Sequence, residues 1–463
     1  MRRERISRRA FLGTTLVAGA SLAVTPKLLK AADRKGEESL NMKLLGHHDL
    51  GGRDGAGKGG EGMAMATTAD GRRIIYVAQE SGPGCFSVID VTDPKSPHLV
   101  KQFNVPTPDV RCNSLDLSGQ LLVVAYEVRT PGLKPAGITL FDISDAANPV
   151  QIGFFDTSGP HSRGVHHVWF VDGRYAYIAT GAADFVPTHR NDDEFLMIVD
   201  LSDPSYPTEV GRWWYPGTRE GDPVPPPPRN PRFDTGYRLH NVDVHAERPD
   251  RAYLGYIDGG LVILDLSDPS RPEPLFVGHY DPPATVGFTH TVVPLFSRDL
   301  LVISSEAIRD LCEDAPKRIW TWDMGEETRP SPIMSMPDPG NISELCRRGG
   351  RFGAHNLWEN RPGKLAFHTD RFALGSFFNG GVRLYDISDE DEPKEVAYHI
   401  PRAPADSPAG AIQINHIYWD ELGIVYGVDR LAGGLYTFEI DREVLEKESS
   451  SRPAITPVAL GRR

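Results

Sequence analysis

The chain has 463 residues, a formal net charge of −13, 40% hydrophobic and 9% aromatic content, and 46 glycines with 39 prolines. That apolar share belongs to a packed protein rather than a disordered one, and the negative balance argues against nucleic acid or an anionic bilayer as partner, because both would repel the chain. So many turn-forming residues point to many short strands.

The N-terminus differs from the rest. Ser7-Arg8-Arg9-Ala10-Phe11-Leu12, preceded by more arginines and followed by the apolar stretch Thr14–Val24, resembles a twin-arginine export signal, with small residues for cleavage at Ala18–Ala20 or Ala31–Ala32. The apolar stretch is too short to span a bilayer comfortably. The expectation is a signal peptide over 1–32, a body over 42–441 and a tail over 442–463, in a periplasmic or otherwise extracytoplasmic product with no membrane span in its mature form.

From residue 42 onward a unit returns, and each copy closes on Asp, an aliphatic residue, Ser or Thr, and Asp. The copies are Asp90-Val-Thr-Asp93-Pro94, Asp142-Ile-Ser-Asp145, Asp200-Leu-Ser-Asp203-Pro204, Asp265-Leu-Ser-Asp268-Pro269, the degenerate Trp322-Asp323-Met324, Asp386-Ile-Ser-Asp389 and Phe438-Glu-Ile-Asp441. Seven copies at roughly 50–65 residue intervals fit a propeller period stretched by insertions. Within a copy the runs are short and β-rich, as in Arg174–Thr180, Glu194–Asp200 and Glu209–Trp214. Glycine-bearing turns at Asp258-Gly-Gly260, Asn379-Gly-Gly381 and Ala432-Gly-Gly434 suit tight hairpins. Asp and Ser side chains in the closing element bond nearby amides, and Pro then redirects the chain. The seventh copy lacks a fourth strand and runs into helix-prone Glu443–Glu448, while Met42–Asp49 matches the fourth strands of other copies. The expected fold is all-β, a seven-bladed β-propeller of four-stranded antiparallel blades, closed by an N-terminal strand that completes the last blade and leaves no sheet edge open.

Met197-Ile-Val-Asp200-Leu-Ser-Asp-Pro204 and Leu261-Val-Ile-Leu-Asp265-Leu-Ser-Asp-Pro269 resemble the LVIVD repeat of bacterial exported β-propellers, and the likeness covers most of Met42 to Asp441. The resemblance implies the fold and the export route, and it carries almost nothing about activity. At the level of fold and export the chain is also similar to the selenium-binding protein and methanethiol oxidase propellers, without a shared cysteine motif.

Near the start of each first strand stands a histidine in five copies: His166, His240, His290, His355 and His416, with Met63 and Cys112 in the other two. First strands line a propeller's channel, so equivalent positions form a ring round its mouth. His, Cys and Met are ligands for borderline and soft metals, so the ring is read as a transition-metal site, with copper favoured and zinc or iron also suited. Three or four ligands are expected, His240, His290, His355 and His416 foremost. An imidazole there also suits a purely structural task, bonding backbone carbonyls between blades. At the ends of the second strands, on the same face, sit Glu80, Glu127, Asp258, Glu306 and Asp429; Glu80, Glu127 and Glu306 are candidate proton-transfer groups.

Insertions gather over the same mouth. His189, within the insertion Asp184–Glu194 of the third copy, Trp214, between it and the proline-rich Asp222–Arg229, and Arg348 and Arg351 before His355 are candidate substrate contacts. Cys312 and Cys346 are placed to bridge, as are Cys85 and Cys112, although spacing alone does not prove either pairing. No phosphate loop, dinucleotide fingerprint, HExxH or nucleophile elbow is present, so no nucleotide cofactor is expected. Two functions follow: a monomeric exported enzyme using a channel metal for redox chemistry on a small substrate, or a non-catalytic extracytoplasmic scaffold that recognises a protein or polysaccharide.

Overall fold

The computed structural model describes residues 36–51, 59–80, 83–230, 234–278, 287–314 and 316–446. The segment 1–32 read from the sequence as an export signal and the tail beyond Glu446 lie outside them. Seven antiparallel sheets are arranged as the blades of a β-propeller. Blade one runs Gly59–Thr67, Arg73–Gln79, Gly84–Asp90 and His98–Asn104 from the axis outward. Blades three, four and five repeat this meander from Val165, Asn241 and Thr289. Alternating side chains fill the space between neighbouring blades, so the core is a series of apolar layers, one of them shared by Phe86, Leu122, Val124 and Phe141 of blades one and two.

The Asp-x-Ser-Asp element does the same job wherever it occurs. Oδ1 of Asp90, Asp142, Asp200, Asp265 and Asp386 accepts the N–H two residues on at 2.7–2.9 Å. Asp93, Asp145, Asp203 and Asp268 repeat the bond at 2.9–3.1 Å. Each strand end is thereby folded into a turn by its own side chain.

At the opposite face every blade is tied to the next at the start of the following inner strand, in five of the seven joints from the end of the preceding second strand. The links are Gln79 to Cys112, Glu127 to Gly164, Leu239 N–H to Glu194 O, Ile257 to Thr289, Ala307 N–H to Ala354 O, Phe378 to Ile414, and Asn415 Nδ2 to Gly59 O. These seven joints close the ring. In blade seven, Met42–His48 pairs antiparallel with Leu435–Ile440 as its outermost strand.

Blades two and six depart from the repeat. The inner strand of blade two is split into Val110–Arg111 and Leu115–Ser118. That of blade six is no regular strand: only isolated bridges such as Leu357 to Gly375 hold it, because Asn360 takes a left-handed φ of 47° and Pro362 stops further pairing. Blade six also gains an outer strand, Glu38–Leu40, against Lys394–Ile400. Disulfides join Cys85 to Cys112 and Cys312 to Cys346. Among the described residues α-helix is limited to Ile342–Leu345 and Arg442–Glu446, and no helix there is long and apolar enough to cross a membrane.

Candidate metal centre

In blades one, three, five and seven the inner strand carries a register shift at the joint with the preceding blade. In blade three Val165 opposes Thr180 and His167 opposes Ala179, which leaves His166 unpaired; in blade seven Ile414 opposes Asp429 and His416 opposes Val428, which leaves Asn415 unpaired. A bulge turns one side chain out of the sheet's alternation, here toward the axis. Counting two residues back from Met63, Leu115, Val168, Val242, Val292, Leu357 and Ile417, which pair with equivalent positions of the second strands, gives one axial position per blade. Its occupants are Glu61, Asn113, His166, His240, His290, His355 and Asn415.

Three assignments made from the sequence are corrected by this register. Blade one offers Glu61 rather than Met63, which is buried in the apolar core. Blade two offers Asn113 rather than Cys112, which is consumed in a disulfide. Blade seven offers Asn415 rather than His416, which lies one residue further along its strand, level with His167, and belongs to none of the candidate ligand groups. A shift of one residue sends a side chain to the other face, and the bulge supplies that shift.

Glu61 escaped the sequence reading although its setting is distinctive. It stands in Gly59-Gly60-Glu61-Gly62, and a Cβ on Gly60 would sit 2.4 Å from Asn113 O, one on Gly62 2.2 Å from Leu115 N. Only glycine lets blade one approach blade two this closely while Glu61 turns inward.

The four histidines and Glu61 converge. Nε2 of His290 lies 3.3 Å from the Glu61 carboxylate, that of His355 3.7 Å, that of His240 3.9 Å and that of His166 4.0 Å. Glu306 joins from the end of its second strand, 3.7 Å from His355 Nε2 and 4.0 Å from His240 Nε2. His166 and His240 place their Nε2 atoms 3.0 Å apart. The groups Glu61/His240/His290 and His290/Glu306/His355 each have ligand atoms close enough to share one ion, as does Glu127/His166/Glu194.

What lies behind each ring fixes its use. Nδ1 of His166 faces the Glu127 carboxylate at 2.9 Å, that of His240 the Asn241 Oδ1 at 2.7 Å, that of His290 the Thr291 Oγ1 at 2.8 Å, and that of His355 the Asn415 carbonyl at 2.7 Å. Carboxylate, amide oxygen and carbonyl only accept, so Nδ1 of His166, His240 and His355 donates. In the neutral rings of His240 and His355 a protonated Nδ1 leaves a lone pair on Nε2, directed at the shared centre. Nε2 of His290 and His355 and Oε2 of Glu61 have no hydrogen-bond partner, although all three atoms are buried. Groups so placed cost free energy unless something fills the gap.

The electrostatics agree. Burial, reinforced by neighbouring imidazoles, holds His240 and His355 well below the usual histidine range, which favours their neutral form. Burial would raise Glu61, but the surrounding His355, His290, His240 and His166 outweigh it and keep the carboxyl well below its ordinary range. His166 goes the other way: burial alone would lower it, and Glu127 overrides this and raises it. Burial raises Glu306 despite Arg351.

The other predicted site residues fall into two sets. Glu127 and Glu306 touch the centre, and Arg351 reaches Glu306 at 2.9 Å. Glu80 instead pairs with Arg430 and Arg111, Asp258 caps Thr235 and Gly236, and Asp429 caps the turn at Leu431–Gly433. His189 contacts Arg229, Trp214 binds Asp222, and Arg348 holds Glu38 and Glu344; these contacts belong to the insertions, not to the centre.

Fold and site together define a β-propeller with a buried histidine–carboxylate layer on its axis. Residues 191–214 and 250–281 match the LVIVD repeat family, so the chain is a β-propeller that carries LVIVD repeats. Among solved structures it is similar to the β-propeller domain of Cps50 (Swd1) from Myceliophteria thermophila, with a TM-score of 0.50 and 12% identity over 86% of this chain and 99% of that one, a likeness of fold alone. No curated protein matches the sequence.

Proposed function

We propose that the protein binds one transition-metal ion on the propeller axis through His166, His240, His290 and His355, with Glu61 beside them, and uses it for redox chemistry on a small substrate. The observation that carries this reading is that Nε2 of His290 and His355 and Oε2 of Glu61 are buried without a hydrogen-bond partner, while Nε2 of His290 lies 3.3 Å and that of His355 3.7 Å from the Glu61 carboxylate. An ion shared by the four imidazoles satisfies these atoms at once and takes the place of the proton through which His166 and His240 meet at 3.0 Å. Outer partners on every Nδ1 support the same reading, since they orient a ligating ring and raise its basicity.

Four imidazoles and a carboxylate suit copper(II), iron or zinc. The soft donors that favoured copper are not in the layer, so iron and copper(II) stand level as redox ions. Glu306, held by Arg351 and raised by burial, is placed to take or give a proton beside the centre. We infer export as well: both disulfides fit an oxidising compartment.

Elemental analysis of tag-free protein tests the reading. Near-stoichiometric iron or copper is expected, absent from a folded His240→Ala/His290→Ala/His355→Ala variant. No metal in either protein after reconstitution with iron(II), copper(II) and zinc(II) would overturn it and leave the layer as internal polar packing of a binding scaffold.

A further inference from the structure

Three residues further along the same inner strands lies a second polar layer that metal binding does not use. Asp116 stands three residues after Asn113 and Asp243 three after His240, while Glu359 and Arg361 come from the irregular inner segment of blade six. Arg361 pairs with Asp116, lies 3.2 Å from Glu359 and stacks 4.8 Å from the Trp169 ring. Asp116 also accepts the N–H groups of Phe170 and Leu117. Asn241 joins the two layers: its Oδ1 faces His240 Nδ1 at 2.7 Å and its Nδ2 donates to Glu359 Oε1 at 3.0 Å.

The layer is under-satisfied. Both oxygens of Asp243 are buried without a partner, as is His245 Nε2, 3.7 Å from one of them. Nδ1 of His167 and of His416, whose rings lie in the field of Arg361, is likewise unpartnered. Three carboxylates against one guanidinium would leave two uncompensated negative charges in a site closed to solvent, a cost that buried carboxyl groups avoid by keeping protons. Polar atoms of this kind without protein partners are ordinarily met by ordered water.

We propose that Glu359 is the proton-exchanging group of the metal centre, holding a proton while the imidazole layer is free of metal and releasing it, through water shared with Asp243 and His245, when a cation binds above. The step is balanced: each Glu359 carboxyl that holds a proton, about half of them at pH 7, gives it to solvent, becomes carboxylate and offsets part of the incoming positive charge. The inference rests on the metal reading, and it adds a residue that touches neither ion nor substrate. The groups facing Glu359 are Asp243, Asp116, Arg361, Asn241 and His245. Burial and Asp243 push its carboxyl up to about 7 against the pull of Arg361, which leaves it half-protonated at neutral pH.

Calorimetric titration of the metal-free full-length protein with zinc(II) at pH 7, in buffers of different ionisation enthalpy, counts the protons released. Glu359→Gln should bind one zinc as wild type does and release about half a proton fewer, since a group titrating near 7 is about half-protonated there. Asp243→Asn, which removes the neighbour that raises Glu359, should lower the count in the same direction. Equal counts in wild type and both variants, with zinc bound, would overturn the proposal. So would a second zinc that Asp243→Asn removes, because the lower layer would then be a cation site. Failure of the wild type to bind zinc would instead strike the metal reading itself.

Discussion

The two ends of the blades carry the protein's two repeated polar motifs, and they differ in how their hydrogen bonds are spent. At the closing turns, Asp90, Asp142, Asp200, Asp265 and Asp386 each accept a backbone N–H from their own turn. On the axis, the repeated histidines spend Nδ1 on a neighbour, and Nε2 of His290 and His355 is left unpartnered among other lone pairs. Repetition alone therefore says nothing about function. A repeated polar group that satisfies itself locally is scaffold, whereas one held in place with its other atom orphaned and buried is prepared for something the chain does not supply.

Breaking the axial layer should have the largest effect. His290→Ala is expected to weaken metal binding by more than the roughly 100-fold that an outer-shell change costs, as read by competition with a chromogenic chelator; retention of wild-type affinity would remove the contrast between the two motifs. Glu359→Gln should act on stability through pH. Its carboxyl is raised from 4.5 to about 7 in the fold, so between those values the native state binds more protons than the unfolded one, and wild-type stability falls as pH rises through that window. The variant escapes the fall, gaining up to ~3 kcal/mol relative to wild type at pH 8 over pH 5. Urea unfolding at the two pH values checks it, and parallel behaviour would count against a titrating lower layer.

Thr291→Val keeps the shape behind His290 and deletes the partner of Nδ1. A 10- to 100-fold loss of metal affinity with nearly unchanged folding is expected. Asp265→Ala, in the other motif, should do the reverse, costing about 1 kcal/mol in urea unfolding with metal content intact. The finest test is His416→Ala: because Asn415 holds the axial position, metal stoichiometry should not change, and loss of the ion would show that the bulge register is not what selects ligands.

Much of this was legible in the residues. The closing turns are local chemistry, written within five positions of the chain, so the seven copies could be counted without coordinates. His166, His240, His290 and His355 stood out for the same reason. Glu61 did not, because no other blade has an acid there and its signal, a carboxylate between glycines, makes sense only once Asn113 O and Leu115 N are seen to crowd those glycines. His416 was mistaken for a ligand because histidine follows the bulge in blade seven and occupies it in blade three, and both segments look alike as text. Glu359 and Asp243 lie 116 residues apart in sequence and meet only through the closure of the ring.

The sequence by itself determined the blade count, the turns and the crowding of histidines toward one mouth, since these depend on side chains bonding to their own neighbours and on strand alternation. The tertiary structure decided which seven side chains face the axis, which atoms remain unpartnered there and that an acidic layer lies beneath. A bulge shifts the pairing register by one residue, and only the pairing partner across the sheet, remote in the chain, defines where that shift falls.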